Sequence, residues 1–150
     1  MRTYYRALLA VAALAASFVA PGPARATGTA TIQQPDGTRK TYSNVRIVIL
    51  DASLAITSSD GKGTVVFGKA ACTKVGELVE CLPYDATLFQ NGEKMHIALK
   101  SGTVWLNPGD TTQPLSHSST QLPPRGITLA AQTKRGTYVT LTGIVDEVRK

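Results

Sequence analysis

Two cysteines, two histidines and a short serine-rich stretch are the residues of this 150-residue chain whose types and spacing could support chemistry. Cys72 and Cys81 bound the segment CTKVGELVEC. A dithiol redox centre normally reads C-x-x-C, and a structural zinc site needs about four ligands, whereas His96 and His117 are the only histidines available to help. With Gly76-Glu77 as a two-residue type II′ loop, Cys72 falls opposite Cys81 in a non-hydrogen-bonded pair, where α-carbons come within about 4.5 Å. The spacing therefore predicts a disulfide across a hairpin.

His117 lies between Ser116 and Ser118, with Ser119 next and Asp110 upstream, so the parts of a serine-hydrolase triad are present between residues 107 and 126. No G-x-S-x-G elbow accompanies them, and serine, histidine and aspartate are also the ordinary composition of a surface loop. The chain has no carboxylate pair in a glycosidase context, no D-x-D-x-D-G calcium loop and no phosphate-cradling glycine motif, so neither metal nor cofactor is expected. Phe89, Trp105 and Tyr138 alternate onto the outward side of their strands. Together with His117 they form a candidate binding surface for a carbohydrate or a protein partner, unless the long connection covers them.

The start of the chain indicates where this chemistry would operate. Arg2 and Arg6 precede the 14-residue apolar run Ala7–Ala20, and Ala24-Arg25-Ala26 supplies an A-x-A cleavage pattern. The run falls short of the roughly 20 residues of a spanning helix, so residues 1–26 are predicted to be a signal peptide and residues 27–150 a single domain without a transmembrane anchor. The expected location is periplasmic or secreted, where a disulfide persists. Removing Arg2, Arg6 and Arg25 leaves 13 basic against 10 acidic residues. The small clusters Arg39-Lys40, Lys134-Arg135 and Arg149-Lys150 form no aromatic-interleaved stripe, so nucleic acid is not an expected partner and solvated surface charge is.

The elements that would position these residues read as strands. Apolar alternation and turn residues recur every eight to twelve positions, and Gly-Thr opens strand after strand at 28-29, 37-38, 63-64, 102-103 and 136-137. Each turn implies a register. Asn91-Gly92 as a type I′ loop pairs Leu88 with Met95 and Ala86 with Ile97, leaving Phe89 and His96 outward. Lys134-Arg135-Gly136 as a three-residue loop pairs Ala131 with Val139 and Leu129 with Leu141, with Tyr138 opposite Gln132. Asp60-Gly61 as a type I′ turn pairs Ile56 with Val65 and Leu54 with Phe67. Val45–Leu50 is nearly continuous apolar sequence, as in a strand covered on both faces.

The expectation is an all-β antiparallel sandwich or barrel of about nine to ten strands, built from consecutive hairpins with one disulfide-stapled. The connection 107–126, with Pro123-Pro124 extended, is expected to carry the chain to another sheet. The expected function is non-catalytic, a binding or envelope-associated domain, and the alternative is a small secreted hydrolase with its site on 107–126.

Overall fold

The structure, a computed structural model, describes residues 27–109, 113–117 and 120–150, so the expected signal segment 1–26, Asp110, Ser118 and Ser119 lie outside the described residues. It contains eleven strands: β1 (Gly28–Gln33), β2 (Arg39–Leu50), β3 (Ser53–Thr57), β4 (Gly63–Val75), β5 (Leu78–Gln90), β6 (Glu93–Leu106), β7 (Leu115–His117), β8 (Thr120–Leu122), β9 (Gly126–Thr133), β10 (Tyr138–Ile144) and β11 (Glu147–Arg149).

The main sheet runs β1-β10-β9-β6-β5-β4-β3-β2, and β1 pairs back onto β2, so eight antiparallel strands close into a barrel. Of the two architectures expected, the barrel is the one formed. Nearly every strand lies beside its successor in the chain, the up-and-down order that tight turns produce. β11 is the ninth strand of the sheet and pairs in parallel with Val48–Leu50, on the edge of β2 beyond the stretch held by β1. Closure depends on small residues where β1, β2 and β10 meet. A Cβ on Gly143 would lie 2.6 Å from the Gly28 Cα and 2.8 Å from Ile47 Cδ1, so these backbones approach as no larger residue would permit.

The turn glycines and Asn91 account for the registers. Asn91 and Gly92 both take positive φ, 51° and 80°, as a type I′ loop requires, and Leu88 faces Met95 while Ala86 faces Ile97. Gly136 at φ 89° closes the three-residue loop, with Leu129 against Leu141. The register through Ile56↔Val65 and Leu54↔Phe67 is also as expected, but the turn that sets it is different. Only Gly61 has positive φ, the connection spans residues 58–62, and the Asp60 carboxylate accepts hydrogen bonds from Ser58 Oγ (2.6 Å) and Lys62 N (3.0 Å). Those bonds hold Asp60 below the usual carboxylate range, chiefly through the Ser58 hydroxyl, and they make a second left-handed residue unnecessary.

In the β4–β5 hairpin Gly76 has φ 61°, Val75 faces Leu78, and Cys72 faces Cys81 with their α-carbons 4.1 Å apart across the disulfide. β3 pairs only with Thr64–Gly68 of β4, so the stapled segment has β5 as its strand partner and has outrun the neighbour on its other side. The bond thus reinforces a segment with half the usual ladder. Replacing Cys72 and Cys81 by serine should cost about 2 to 3 kcal/mol, the chain-entropy value for so small a ring. Urea unfolding would measure it, with far-UV circular dichroism unchanged because the turn and the apolar pairs still set the register.

Inside the barrel, Ile47, Leu54, Phe67, Ile127, Leu129 and Leu141 form the centre of the core. The outer wall carries Thr29, Thr31, Thr87, His96, Thr103, Thr128, Thr140 and Thr142 at alternate positions, together with the apolar Val48, Ala55, Val66 and Trp105. The apolar interior contrasts with the polar lumen of a membrane-spanning barrel. Among the described residues, no helix is long and apolar enough to cross a membrane.

Candidate functional site

The two ends of the barrel are built differently. At one end the start and the finish of the long connection are tied together around a buried asparagine. Asn107 is fully buried: its Nδ2 donates to the Leu122 carbonyl (3.1 Å), its Oδ1 accepts from Gly109 N (3.0 Å), and its backbone N donates to the Gly126 carbonyl (2.9 Å). The connection does not lead to another sheet, as the sequence had implied, because β6 and β9 are adjacent strands of the same barrel. Pro123 and Pro124 start a turn, closed by Gly126 N donating to the Pro123 carbonyl at 2.7 Å, that returns the chain to β9. Along the way β7 and β8 form a small hairpin of their own, which accounts for two strands beyond those expected.

At the other end the barrel is open and hollow. A cavity of about 520 Å³ lies there, within the range of small-molecule sites. Its walls are Ile32 of β1, Val65 and Phe67 of β4, Ala86 and Leu88 of β5, Met95, Ile97 and Leu99 of β6, and Val139 of β10. Strand pairing sets Phe67 beside Ala86 and Ala86 beside Ile97, so a methyl group stands between two larger side chains and leaves the space in front of it unfilled. Met95 is 57% exposed at the mouth. An apolar residue at an inward position that still meets solvent marks a barrel its own side chains do not fill.

The rim is formed by turns. Gln34–Thr38 and Thr133–Thr137 have the same build: Gln34 N donates to the Thr38 carbonyl (2.8 Å) and Thr133 N to the Thr137 carbonyl (2.9 Å), with Gly37 and Gly136 at φ 87° and 89°. Thr137 Oγ1 donates to Gln34 Oε1 at 3.0 Å, fastening the two turns to each other, and Lys134 N donates to the Ala98 carbonyl, anchoring the second turn on β6. Lys134 and Arg135 border the cavity, and neither forms an ion pair with a described residue. The sequence reading treated this pair as solvated charge. Both are exposed, and the fold sets them at the edge of an apolar hollow.

The candidate residues named from sequence occupy other places. Trp105 and His117 come together, their rings stacked with centroids 3.9 Å apart and planes 21° from parallel. The long connection thus covers one face of Trp105, through His117. Ser116 is exposed on β7 beside them. Phe89 is 43% exposed near the β5–β6 turn, at the opposite end of that hairpin from Trp105, with the Lys94 ammonium 6.0 Å from its ring centroid. Tyr138 is 51% exposed between Gln132 and Gln33. His96, by contrast, is exposed opposite Thr87 and lines the cavity. The sequence identified the cavity residues as the inward faces of hairpins but gave no sign of the hollow, apart from the small Ala86 among larger partners.

No protein-family model, curated protein or solved structure matches the chain.

Proposed function

We propose that this protein is a binding module that takes up a small apolar molecule in the open mouth of its barrel, as an exported, periplasmic or secreted, non-catalytic domain. The observation that supports this reading is the cavity itself: about 520 Å³, walled by apolar side chains, at the open end of the barrel. Apolar surface left in contact with water costs roughly 25 cal/mol per Å², so an apolar guest that covers Leu88, Met95, Ile97 and Val139 is stabilised by the hydrophobic effect without the fold having to move. The disulfide favours an oxidising compartment.

The test uses N-phenylnaphthylamine, a neutral fluorophore that brightens in apolar surroundings. The purified chain from Thr27 onward should enhance its emission saturably, at one site per molecule. Leu88→Trp, which fills the mouth from a half-buried position, should weaken that binding by about tenfold or more while leaving circular dichroism and thermal unfolding close to wild type. Unsaturable emission, or equal affinity in the Leu88→Trp variant, would remove the cavity as the site.

A further inference from the structure

We infer that the ligand is an anionic amphiphile, an alkyl chain ending in a carboxylate or a similar oxyanion, held with its tail in the barrel and its head at the Lys134–Arg135 turn. This rests on the cavity being a binding site. The charged residues that border the cavity are Lys134 and Arg135, both cationic and neither neutralised by a described ion-pair partner. Lys40 adds a third cation on the same side: it pairs with the inward Ile32 at the mouth end of β2 and lies 4.9 Å from the ring centroid of Tyr42. Three acidic residues stand in the turns at this end and keep their negative charge, but none of them lines the cavity. Asp36 accepts from Thr38 N (2.8 Å) and Asp60 from Ser58 Oγ and Lys62 N, each within its own turn. Glu93 is the third, at the tip of the β5–β6 hairpin two residues from the cavity-lining Met95.

The geometry also orients the guest. Apolar walls reach from Met95 and Leu88 down to Phe67 and Leu99, while the polar and cationic groups, Gln34, Thr133, Lys134, Arg135 and Thr137, lie at the rim. A head group therefore stays at the solvent boundary, where charge-assisted hydrogen bonds to a guanidinium and an ammonium form without burying an ion.

The experiment displaces N-phenylnaphthylamine with three amphiphiles of one tail length, each below its micelle threshold: dodecanoate, dodecanol and dodecyltrimethylammonium. Dodecanoate should compete about five- to tenfold better than dodecanol at low ionic strength, and the cation worse than either, with the preference shrinking in high salt. In the double variant Lys134→Gln/Arg135→Gln, which alters an exposed turn and leaves its Gly136 in place, dodecanol should bind as before and the preference for dodecanoate should vanish. Glu93→Gln should increase it. Equal binding of dodecanoate and dodecanol by the wild type, or a preference that survives in the double variant, overturns the anionic assignment while leaving the apolar site standing. Failure of all three to displace the fluorophore overturns both readings.

Discussion

Leu141→Ala is expected to lower the free energy of unfolding by about 3 to 4 kcal/mol, the cost of deleting a fully buried leucine from a region that cannot collapse around the gap. Leu141 has no exposed surface; it stands between Ala30 and Leu129 on neighbouring strands, in the half of the barrel that is packed. Leu88→Ala should cost only about 1 kcal/mol, because Leu88 is half-buried and already faces the hollow, so its removal enlarges a cavity without creating one. Urea denaturation of the two variants tests the division directly. Similar losses at both sites would mean that the mouth is as tightly packed as the base, and the proposed binding site would go with it.

The second large effect belongs to the buried amide at the start of the long connection. Asn107→Asp should destabilise the fold at neutral pH by about 3 to 5 kcal/mol, as expected when a carboxylate is buried without a compensating cation. The new oxygen would face the Leu122 carbonyl, which now accepts from the amide, while the bond from Gly109 N is retained. Burial raises the carboxyl's folded-state pKa above its unfolded value of about 3.9, so the penalty is absent below about pH 4 and grows as pH rises through the folded-state pKa. The protonated acid can still donate to Leu122. Chemical denaturation of this variant between pH 3 and pH 7, with the wild type measured at each pH as reference, should show the deficit opening toward neutrality; a pH-independent deficit would mean that shape, and not charge, is what Asn107 supplies.

Local chemistry was legible in the sequence and remote chemistry was not. Asn91-Gly92, Lys134-Arg135-Gly136 and Val75-Gly76-Glu77-Leu78 each fix two strands by a rule spanning a few residues, and all three ladders have the expected partners, the cysteine pair included. Asp60-Gly61 gave its register through the apolar pairing although its turn was of another kind, because side-chain bonds to Ser58 and Lys62 supply what a second left-handed residue would have supplied. The closure of β1 on both β2 and β10 depends on Gly28 and Gly143, which in sequence look like any other glycines. The similar turns at Gln34–Thr38 and Thr133–Thr137 gave no sign that they would be bonded together at one rim. The hollow was least legible of all, since it depends on the volumes of side chains from five strands at once, and the Phe67, Ala86 and Ile97 pattern is as compatible with a filled barrel as with an open one.

The seam between β1 and β10 has a consequence for the order in which the molecule can form. Most of the ladders are hairpins whose halves are neighbours in the chain and can zip as soon as both are present, but Thr29 meets Thr142 and Val48 meets Glu147. Contacts between such distant parts carry the largest loop-closure cost and form late. A chain emerging from its amino end would thus travel as an open, curling sheet, with the faces of Ile47 and Leu129 unshielded, until β10 arrives. Truncation within β10 would then leave two raw sheet edges and no mouth, so the closing strand acts as a checkpoint: only a chain that includes β10 acquires an interior.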